Sequence, residues 1–433
     1  MKTIGLITEY NPFHNGHKYH IEEARRMTGA DYVVAVMSGN FVQRGTPAIM
    51  DKYSRTAMAL RNGIDLVLEL PVCYATGSAE YFAQGAVALL DRLGIVDAIC
   101  FGSESGSISL LSKAADLLLL APAAFEDRLQ EQLKEGLSYP VARVRALEHT
   151  LTQNGSSDAA ILTDVLAEPN NILGIEYLKA LKKLSSSIEP VTIQRVSAHY
   201  HDPALSSSSE LCTEQVNRPV ISSATALRNA IHNTCETPGE ALREAFESVP
   251  ADVAKYLSDN YHLTYPMTEE DFASIIKYKL LEEDCTSLTQ YQDISPDLAK
   301  RLKNYRGYPS SIAEYTQEIK TKNMTLTRIN RALIHLLLNI KTEDMKELQM
   351  YGFVPYARVL GIRKEASRLL KLIESNGRIP VITKVSRAKQ QLDEIGLKIL
   401  SKDIFATHLY NQAVYDKYGT VLENEYQHSI LIL

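Results

Sequence analysis

The sequence predicts an α/β fold, in which helices cover both faces of a parallel sheet, followed by a mainly helical C-terminal domain. Three observations support this prediction. Short apolar runs alternate with amphipathic segments over the first hundred residues, the runs are continuously apolar, and the pattern stays helical far beyond Pro238. Strands that are apolar on both faces are typical of parallel sheets buried between helices. We place the two domains at residues 1–237 and 238–433.

Four strands and three helices are predicted within the first hundred residues. Short apolar runs bounded by polar or turn-forming residues indicate strands, and longer segments rich in Glu, Ala and Arg indicate helices. The strands are Thr3–Thr8, Tyr32–Met37, Leu66–Leu70 and Ala98–Phe101, and the helices between them are His17–Met27, Lys52–Arg61 and Ser78–Leu93.

The rest of the chain is predicted to be mainly helical. Residues 107–184 have a helical pattern, a fifth strand is predicted at Val191–Val196, and a polar loop containing Ser206–Ser209 ends near Pro219. Two later helices are predicted. The first, Ala224–His232, follows serines that can cap it, and the second, at residues 328–340, is amphipathic.

The composition excludes several classes of protein. Hydrophobic residues make up 45% and charged residues 23% of the chain, and no apolar run approaches the ~20 residues of a membrane span. The N-terminus lacks the features of a secretory signal, so we expect a cytoplasmic protein without membrane contact. The five cysteines form no C-x-x-C pair and are odd in number, which argues against a zinc site or a disulfide framework. We predict no dedicated metal site.

The net charge of −6 conceals a basic segment. Residues 300–390 hold about 19 Lys and Arg against about 7 Asp and Glu, so this segment carries about +12 and the remainder about −18. Such a concentration of positive charge favours contact with a polyanion, although a solvated helical surface would also explain it.

The most informative segment is the turn between the first strand and the first helix. It contains His14, Gly16 and His17 in H-x-G-H order. Ligands of open parallel sheets bind beyond the carboxyl ends of the strands, where the N–H groups and dipole of a helix N-terminus attract phosphate. Gly16 permits close approach of the backbone, and the two imidazoles can donate hydrogen bonds to a triphosphate. The turn therefore predicts a nucleotide site with His14 and His17 as catalytic residues.

A second segment, Ile221–Arg228, starts just before the predicted helix Ala224–His232 and includes its first residues. Ser223 can cap this helix, and a simply capped helix would by itself explain the segment.

Together these segments resemble the HxGH and ISSTxxR signatures of the nucleotidyltransferase superfamily. Thr225 and Arg228 keep the T-x-x-R spacing, whereas Ala224 stands where the superfamily has its second Ser. The second signature implies that Ser223 binds phosphate at the helix N-terminus and that Arg228 holds the β- and γ-phosphates. Further stretches are similar to the bacterial tRNA(Met) cytidine acetate ligase family, and their order and spacing carry the resemblance. They are residues 37–45, 65–71, 101–104 and 170–177 and, more loosely, 321–323 and 356–361.

The resemblance implies a Rossmann-like parallel sheet and a two-step reaction. Acetate attacks the α-phosphorus of ATP to give acetyl-adenylate, and the acetyl group then passes to N4 of the wobble cytidine of elongator tRNA(Met). The product is N4-acetylcytidine. The resemblance also implies that ATP binds with Mg²⁺ and that coenzyme A is not used. Acetate and tRNA are the partners, and no obligate protein partner is evident.

The resemblance also implies an ATP site that includes His14 and His17. Its expected members are Ile7, Thr8, Glu9, Tyr10, Asn11, His14, Asn15, Gly16, His17, His20, Gly102, Asn171, Arg195, Ser223 and Arg228. Gly102, Asn171 and Arg195 each have a purely structural alternative. Arg44 could meet phosphate or tRNA. The basic residues that we predict to contact tRNA are Lys300, Arg301, Lys303, Arg306, Lys320, Lys322, Arg328 and Arg331.

Three other functions share part of this pattern. One is adenylyl transfer to a phosphorylated metabolite, a second is acetylation of a protein thiol, and the third is RNA binding by a domain that has lost catalysis. The long basic segment argues against the first, and the intact His14, His17 and Arg228 argue against the third.

Overall fold

Eight strands within the part of the chain that the computed structural model describes form one mixed sheet. Its order is β10-β8-β5-β2-β1-β6-β7, with β9 beside β8, and every pairing is parallel except that of β5 with β8. The structure describes residues 1–119, 123–135, 137, 141–142, 144–146, 149, 164–195, 222–232, 240–304 and 311–433. The sheet strands are β1 Thr3–Thr8, β2 Tyr32–Ser38, β5 Leu66–Leu70, β6 Ala98–Ser103, β7 Glu189–Gln194, β8 Ala357–Ile362, β9 Val381–Ile382 and β10 Leu431–Ile432. A small hairpin of β3 Phe41–Val42 and β4 Thr46–Pro47 stands apart.

Helices cover both faces of this sheet. Within the described ranges they are α1 Asn15–Thr28, α2 Lys52–Arg61, α3 Val72–Ala75, α4 Ala79–Arg92, α5 Ile108–Leu119, α6 Ala123–Lys134, α7 Pro169–Lys183, α8 Ala224–His232, α9 Glu240–Glu247, α10 Ala251–Asn260, α11 Ala273–Glu282, α12 Cys285–Leu288, α13 Pro296–Asn304, α14 Ile312–Ile319, α15 Leu326–Leu337, α16 Thr342–Tyr351, α17 Arg368–Asn376 and α18 Glu394–Tyr418. None of them is long and apolar enough to cross a membrane.

The continuously apolar strands are explained by burial on both sides. In β2, Val34 and Val36 belong to one hydrophobic cluster, whereas Val33 and Ala35 belong to the other, and all four are fully buried. Since successive side chains of a strand point to opposite faces, a strand between two helical layers has no polar face. The predicted α/β class is therefore confirmed.

Several element boundaries are confirmed as well. The strands at Thr3–Thr8 and Leu66–Leu70 and the helices at Lys52–Arg61 and Ala224–His232 have the predicted bounds. The first helix begins at Asn15 rather than His17, because His14 caps it. The predicted strand at Val191–Val196 is β7, which lies slightly earlier in the chain. The polar loop containing Ser206–Ser209 lies outside the described residues.

Three strands of the main sheet, β8, β9 and β10, come from the C-terminal part of the chain, and β8 is the longest of them. All six residues of β8 are buried, and β8 pairs antiparallel with β5, so that Leu66 lies opposite Ile362 and Glu69 opposite Arg358. The expectation of a mainly helical C-terminal part did not include these strands. The sheet consequently extends across the predicted boundary at residues 237 and 238, and the division into two domains stays a prediction.

Candidate active site

A cavity of about 290 Å³ opens beyond the carboxyl ends of β1, β6 and β7. It lies where the sheet order reverses, since β1 has β2 on one side and β6 on the other. Thirteen of the fifteen residues predicted for the ATP site line it. They are Ile7, Thr8, Glu9, Tyr10, Asn11, His14, Gly16, His17, His20, Gly102, Arg195, Ser223 and Arg228.

His14 and His17 cap α1 reciprocally. Nδ1 of His14 accepts a hydrogen bond from the N–H of Gly16 at 3.1 Å, and Nδ1 of His17 accepts one from the N–H of His14 at 3.2 Å. The two rings stack with centroids 3.7 Å apart. Because both Nδ1 atoms act as acceptors, each ring carries its proton on Nε2. Each histidine can therefore donate one hydrogen bond from Nε2 to a ligand.

The histidines of the cavity are held in the neutral form. Burial, reinforced by the positive charges of Arg195 and Arg228, lowers the pKa of His14 to about 3. Burial likewise lowers the pKa of His17 well below its usual range and that of His20 to about 4, with Arg195 contributing to both. Neutral donors of this kind fit the proton arrangement set by the capping hydrogen bonds.

The second predicted segment reaches the same cavity. The Ser223 hydroxyl accepts a hydrogen bond from the N–H of Ala226 at 3.0 Å and so caps α8. Arg228 donates from Nη1 to the carbonyl of Asn11 at 2.7 Å and from Nη2 to the Thr225 hydroxyl at 3.1 Å. These bonds hold the guanidinium against the H-x-G-H turn, although more than two hundred residues separate the two segments in sequence.

Arg195 follows β7 and stands beside Gly102 at the end of β6. Its N–H donates to the Ser103 carbonyl at 3.0 Å, and a Cβ atom on Gly102 would lie 3.4 Å from its Cγ. The small residue at position 102 therefore leaves the Arg195 side chain room along the cavity wall.

Two predicted site residues, Asn15 and Asn171, are not among the residues that line the cavity. Asn15 donates from Nδ2 to the Glu247 carbonyl at 3.0 Å. Asn171 accepts from the N–H of Ser105 at 3.1 Å, and its own N–H donates to Glu104 at 2.9 Å. Asn171 thus braces the loop that follows Gly102. Contact of either side chain with ATP stays a prediction.

The cavity has an apolar wall that sequence reasoning did not find. Phe82 of α4 and Leu173 and Tyr177 of α7 form it, and Phe82 and Tyr177 are each 3% exposed. Their positions on α4 and α7 look like ordinary core positions in the sequence, so only the packing of the two helices shows that they border a cavity. Tyr19, Ile193, Gln194, Ser222, Ala224 and Thr225 also line it.

The β3–β4 hairpin closes the cavity on the side of β2. Gln43 and Arg44 lie at its turn and line the cavity, and Gly45 follows with φ of +76°. A Cβ atom on Gly45 would lie 2.2 Å from the backbone nitrogen of Arg331, so the turn packs directly on helix α15. The hairpin therefore joins the cavity to the helix on which we predicted RNA contacts.

The wholly buried Arg55 ties together the backbone beneath this turn. Its guanidinium donates to the carbonyls of Glu9 at 2.7 Å, Ser38 at 3.0 Å and Met50 at 3.1 Å, and also to that of Gly39. Glu9 follows β1, Ser38 and Gly39 lie at the end of β2, and Met50 follows β4. Arg55 thus positions the backbone of Glu9 relative to the hairpin.

The residues predicted to contact tRNA fall into two groups. Lys300, Lys320 and Lys322 are exposed. The other described members have protein partners or are partly covered. Arg301 pairs with Asp297 at 3.0 Å, Lys303 donates to two carbonyls at the end of α11, Arg331 pairs with Asp293 at 2.8 Å, and Arg328 is half-buried. Arg306 lies outside the described residues.

The fold and the site together define a class of protein. The combination of a mostly parallel sheet, two histidines at the N-terminus of the first helix and an arginine from a distant helix is typical of nucleotidyl transferases. A family model described as HIGH Nucleotidyl Transferase matches residues 1–425.

Similar proteins narrow this class further. Proteins named tRNA(Met) cytidine acetate ligase from Acetivibrio thermocellus and Thermoanaerobacter sp. are 38% and 40% identical to this chain. The matches cover 95% of the chain and 94% and 96% of those proteins. The crystal structure of apo Thermotoga maritima TmcAL is 32% identical, with a TM-score of 0.89 over the whole of both chains. A second form, bound with alpha-thio ATP, is 31% identical with a TM-score of 0.86 over both whole chains. The chain therefore belongs to the tRNA(Met) cytidine acetate ligase family of HIGH nucleotidyl transferases.

Proposed function

We propose that this protein activates acetate with ATP and transfers the acetyl group to N4 of the wobble cytidine of elongator tRNA(Met). An acetate oxygen attacks the α-phosphorus, and pyrophosphate leaves with the bonding electrons. The N4 atom of the cytidine then attacks the acetyl carbon, and AMP leaves. The observation that carries the proposal is the pair of Nε2 donors of His14 and His17 at the N-terminus of α1, inside the cavity.

Each part of the cavity suits one part of this reaction. The imidazole donors can bind phosphate oxygens on which charge develops as pyrophosphate departs. Arg228 can hold the outer phosphates with its planar guanidinium. The apolar wall of Phe82 and Leu173 can accommodate the acetate methyl group.

We also propose that Mg²⁺ accompanies ATP and takes most of its ligands from the triphosphate and from water, as this ion commonly does. In our proposal acetate itself, and not acetyl-coenzyme A, supplies the acetyl group, and the reaction takes place in the cytoplasm.

The direct experiment is to follow labelled acetate. The full-length protein is incubated with ATP, Mg²⁺, labelled acetate and total tRNA, and the labelled product is digested to nucleosides. We expect label in N4-acetylcytidine without added coenzyme A. Label on protein, or transfer of AMP to a metabolite, would reject the proposal.

The two histidines should serve the first step. We expect His14→Ala and His17→Ala each to lower acetate-dependent ATP–pyrophosphate exchange by about 10²-fold or more, since each removes a donor to a phosphate oxygen. Affinity for tRNA, measured by filter binding, should stay near that of the wild type. Loss of tRNA binding with intact exchange would contradict this division of roles.

The exposed lysines before α15 offer a test of RNA binding. We expect Lys320→Gln combined with Lys322→Gln to weaken tRNA binding and to reduce the slope of log affinity against log salt concentration, by about 0.7 to 0.9 for each lost phosphate contact. Lys134→Gln combined with Lys255→Gln is a matched control, because both of those lysines are also exposed but lie on α6 and α10. Equal slopes in the two double variants would remove Lys320 and Lys322 from the RNA face.

A further inference from the structure

Glu9 differs in charge from the other ionisable residues around the cavity. Among the described residues that line it, Glu9 is the one carboxylate, and it shares the cavity with Arg44, Arg195 and Arg228. It directly follows β1, and its side chain is half-buried. A carboxylate repels anions, so neither of the two anionic substrates, ATP and acetate, accounts for its place in this cavity.

Both ends of Glu9 are held in place. Oε1 of its carboxylate accepts a hydrogen bond from the N–H of Gln43 at 2.9 Å, and its carbonyl accepts one from Arg55 at 2.7 Å. Gln43 belongs to the hairpin turn, which packs on α15 through Gly45. The carboxylate therefore faces the hairpin, on the side of the cavity that adjoins the basic helix.

The charge of Glu9 makes it a poor neighbour for phosphate or acetate oxygens. Like charges within a few ångströms repel each other, and a carboxylate has no proton to donate at neutral pH. It can, however, accept a hydrogen bond from an amine. The exocyclic amine of cytosine is such a donor, and Asp or Glu carboxylates are its usual partners in recognition.

We propose that Glu9 binds the N4 amine of the target cytidine and accepts its proton during acetyl transfer. This inference rests on the proposed function. The N4 lone pair forms a bond to the acetyl carbon, the bond from that carbon to the adenylate oxygen breaks, and AMP leaves with its electron pair. The proton released from N4 passes to the Glu9 carboxylate and then to water. The amine of cytosine is weakly nucleophilic, because its lone pair is delocalised into the ring, so loss of its proton assists attack.

The test measures the two half-reactions separately. Acetate-dependent ATP–pyrophosphate exchange reports activation. Transfer is measured by forming labelled acetyl-adenylate on the enzyme with pyrophosphatase present and then adding tRNA under single-turnover conditions. The variants are Glu9→Gln, which keeps an acceptor for the Gln43 N–H, Glu9→Asp, which keeps the carboxylate, and Glu22→Gln. Glu22 is exposed on α1 and serves as the matched control.

We expect Glu9→Gln to lower the transfer rate about 10²-fold more than it lowers the exchange rate, the usual size of a general-base effect. Glu9→Asp should lose less transfer activity, and Glu22→Gln should match the wild type in both assays. An equal loss of both rates in Glu9→Gln, equal transfer by Glu9→Gln and Glu9→Asp, or unaltered transfer would overturn the proposal. Absence of exchange in the wild type would overturn the proposed function itself.

Discussion

At the scale of single residues, the hydrogen-bond donors that the cavity offers depend on which ring nitrogen of each histidine carries the proton. His14 and His17 use Nδ1 to cap α1, so the same hydrogen bonds that begin the helix direct both Nε2–H groups to the ligand. Burial and the nearby arginines lower the pKa of both rings and keep them neutral, so the cavity holds no charged imidazole that would need a counter-charge. One local motif thus both begins a helix and leaves two Nε2–H donors in the cavity, where we propose that phosphate binds.

The lowered pKa values predict a loss of stability in acid. The pKa of His20 is about 4 in the folded protein, whereas an unfolded histidine titrates near about 6.5. Between these values the unfolded chain binds the extra proton, so the free energy of unfolding falls as the pH falls below about 6.5. We expect His20→Asn to reduce the slope of this free energy at pH 5 by about one proton, measured by urea unfolding of the ATP-free protein.

At pH 8 the His20 ring is unprotonated in both the folded and the unfolded protein. The slopes of the free energy of unfolding against pH should therefore agree there between wild type and variant. An unchanged slope at pH 5 would show that the His20 ring is not held neutral by the fold.

At the scale of secondary structure elements, the β3–β4 hairpin links the cavity to the basic helix α15. Gln43 binds Glu9 on one side of the turn, and Gly45 contacts the α15 backbone on the other. Gly45 meets two requirements, because its φ is +76° and the neighbouring helix leaves no room for a side chain. A shift of this turn would move both the cavity wall and the predicted RNA face.

Two glycine substitutions separate these requirements. Gly45→Ala introduces both backbone strain and a clash with α15, whereas Gly29→Ala, at φ of +65° with open space around it, introduces strain alone. We expect Gly29→Ala to lower the free energy of unfolding by about 1 to 2 kcal/mol, the cost of a left-handed conformation. Gly45→Ala should lower it by at least about 3 kcal/mol, when overpacking is added, and should also reduce acetyl transfer. Chemical denaturation measures the free energy of unfolding of both variants. Equal losses in the two variants would mean that the contact with α15 adjusts without cost.

At the scale of the whole molecule, a buried network of charges connects the N-terminal and C-terminal parts of the chain. Lys52 of α2 is wholly buried and pairs with Glu69 of β5 at 2.8 Å and with Glu425 at 2.7 Å. Arg358 of β8 also pairs with Glu425, at 2.5 Å. Attraction to Lys52 and Arg358 overcomes the effect of burial and lowers the pKa of Glu425 to about 2. The network thus joins Glu425, in the segment after α18, to the central sheet.

Removal of one carboxylate should destabilise the whole fold. Glu425→Gln leaves the buried Lys52 and Arg358 with insufficient negative charge, and we expect the free energy of unfolding to fall by about 3 kcal/mol or more at pH 7. The pKa of Glu425 in the folded protein lies below its ordinary value of about 4.3. The stabilisation is therefore complete above about pH 4.3 and is lost as the pH falls through about 2.

Glu423→Gln is the matched control, because the Glu423 side chain is 54% exposed, and the substitution should change the free energy of unfolding by less than about 0.5 kcal/mol. Similar effects of the two substitutions would mean that the buried network contributes little to stability.

Local sequence patterns located individual helices and strands but not every strand of the sheet or every residue of the cavity. Leu66–Leu70 and Lys52–Arg61 were located correctly, since apolar runs and helical periodicity are local properties. The strand Ala357–Ile362 was missed in a region expected to be helical, because a short, fully buried run has no periodicity that separates strand from helix. Phe82 and Tyr177 were missed as cavity residues for a related reason, since an aromatic residue has the same pattern in a core and in a cavity wall.

The sequence by itself determined the α/β class, the H-x-G-H turn between the first strand and helix, and the basic character of residues 300–390, because each follows from residues close together in the chain. Tertiary structure alone decided that Arg228 meets Asn11, that the Gln43 turn holds Glu9, and that β8 completes the sheet beside β5. These contacts join segments tens to hundreds of residues apart. They form only when helices and strands pack to bury their apolar faces, and that packing is a property of the whole chain.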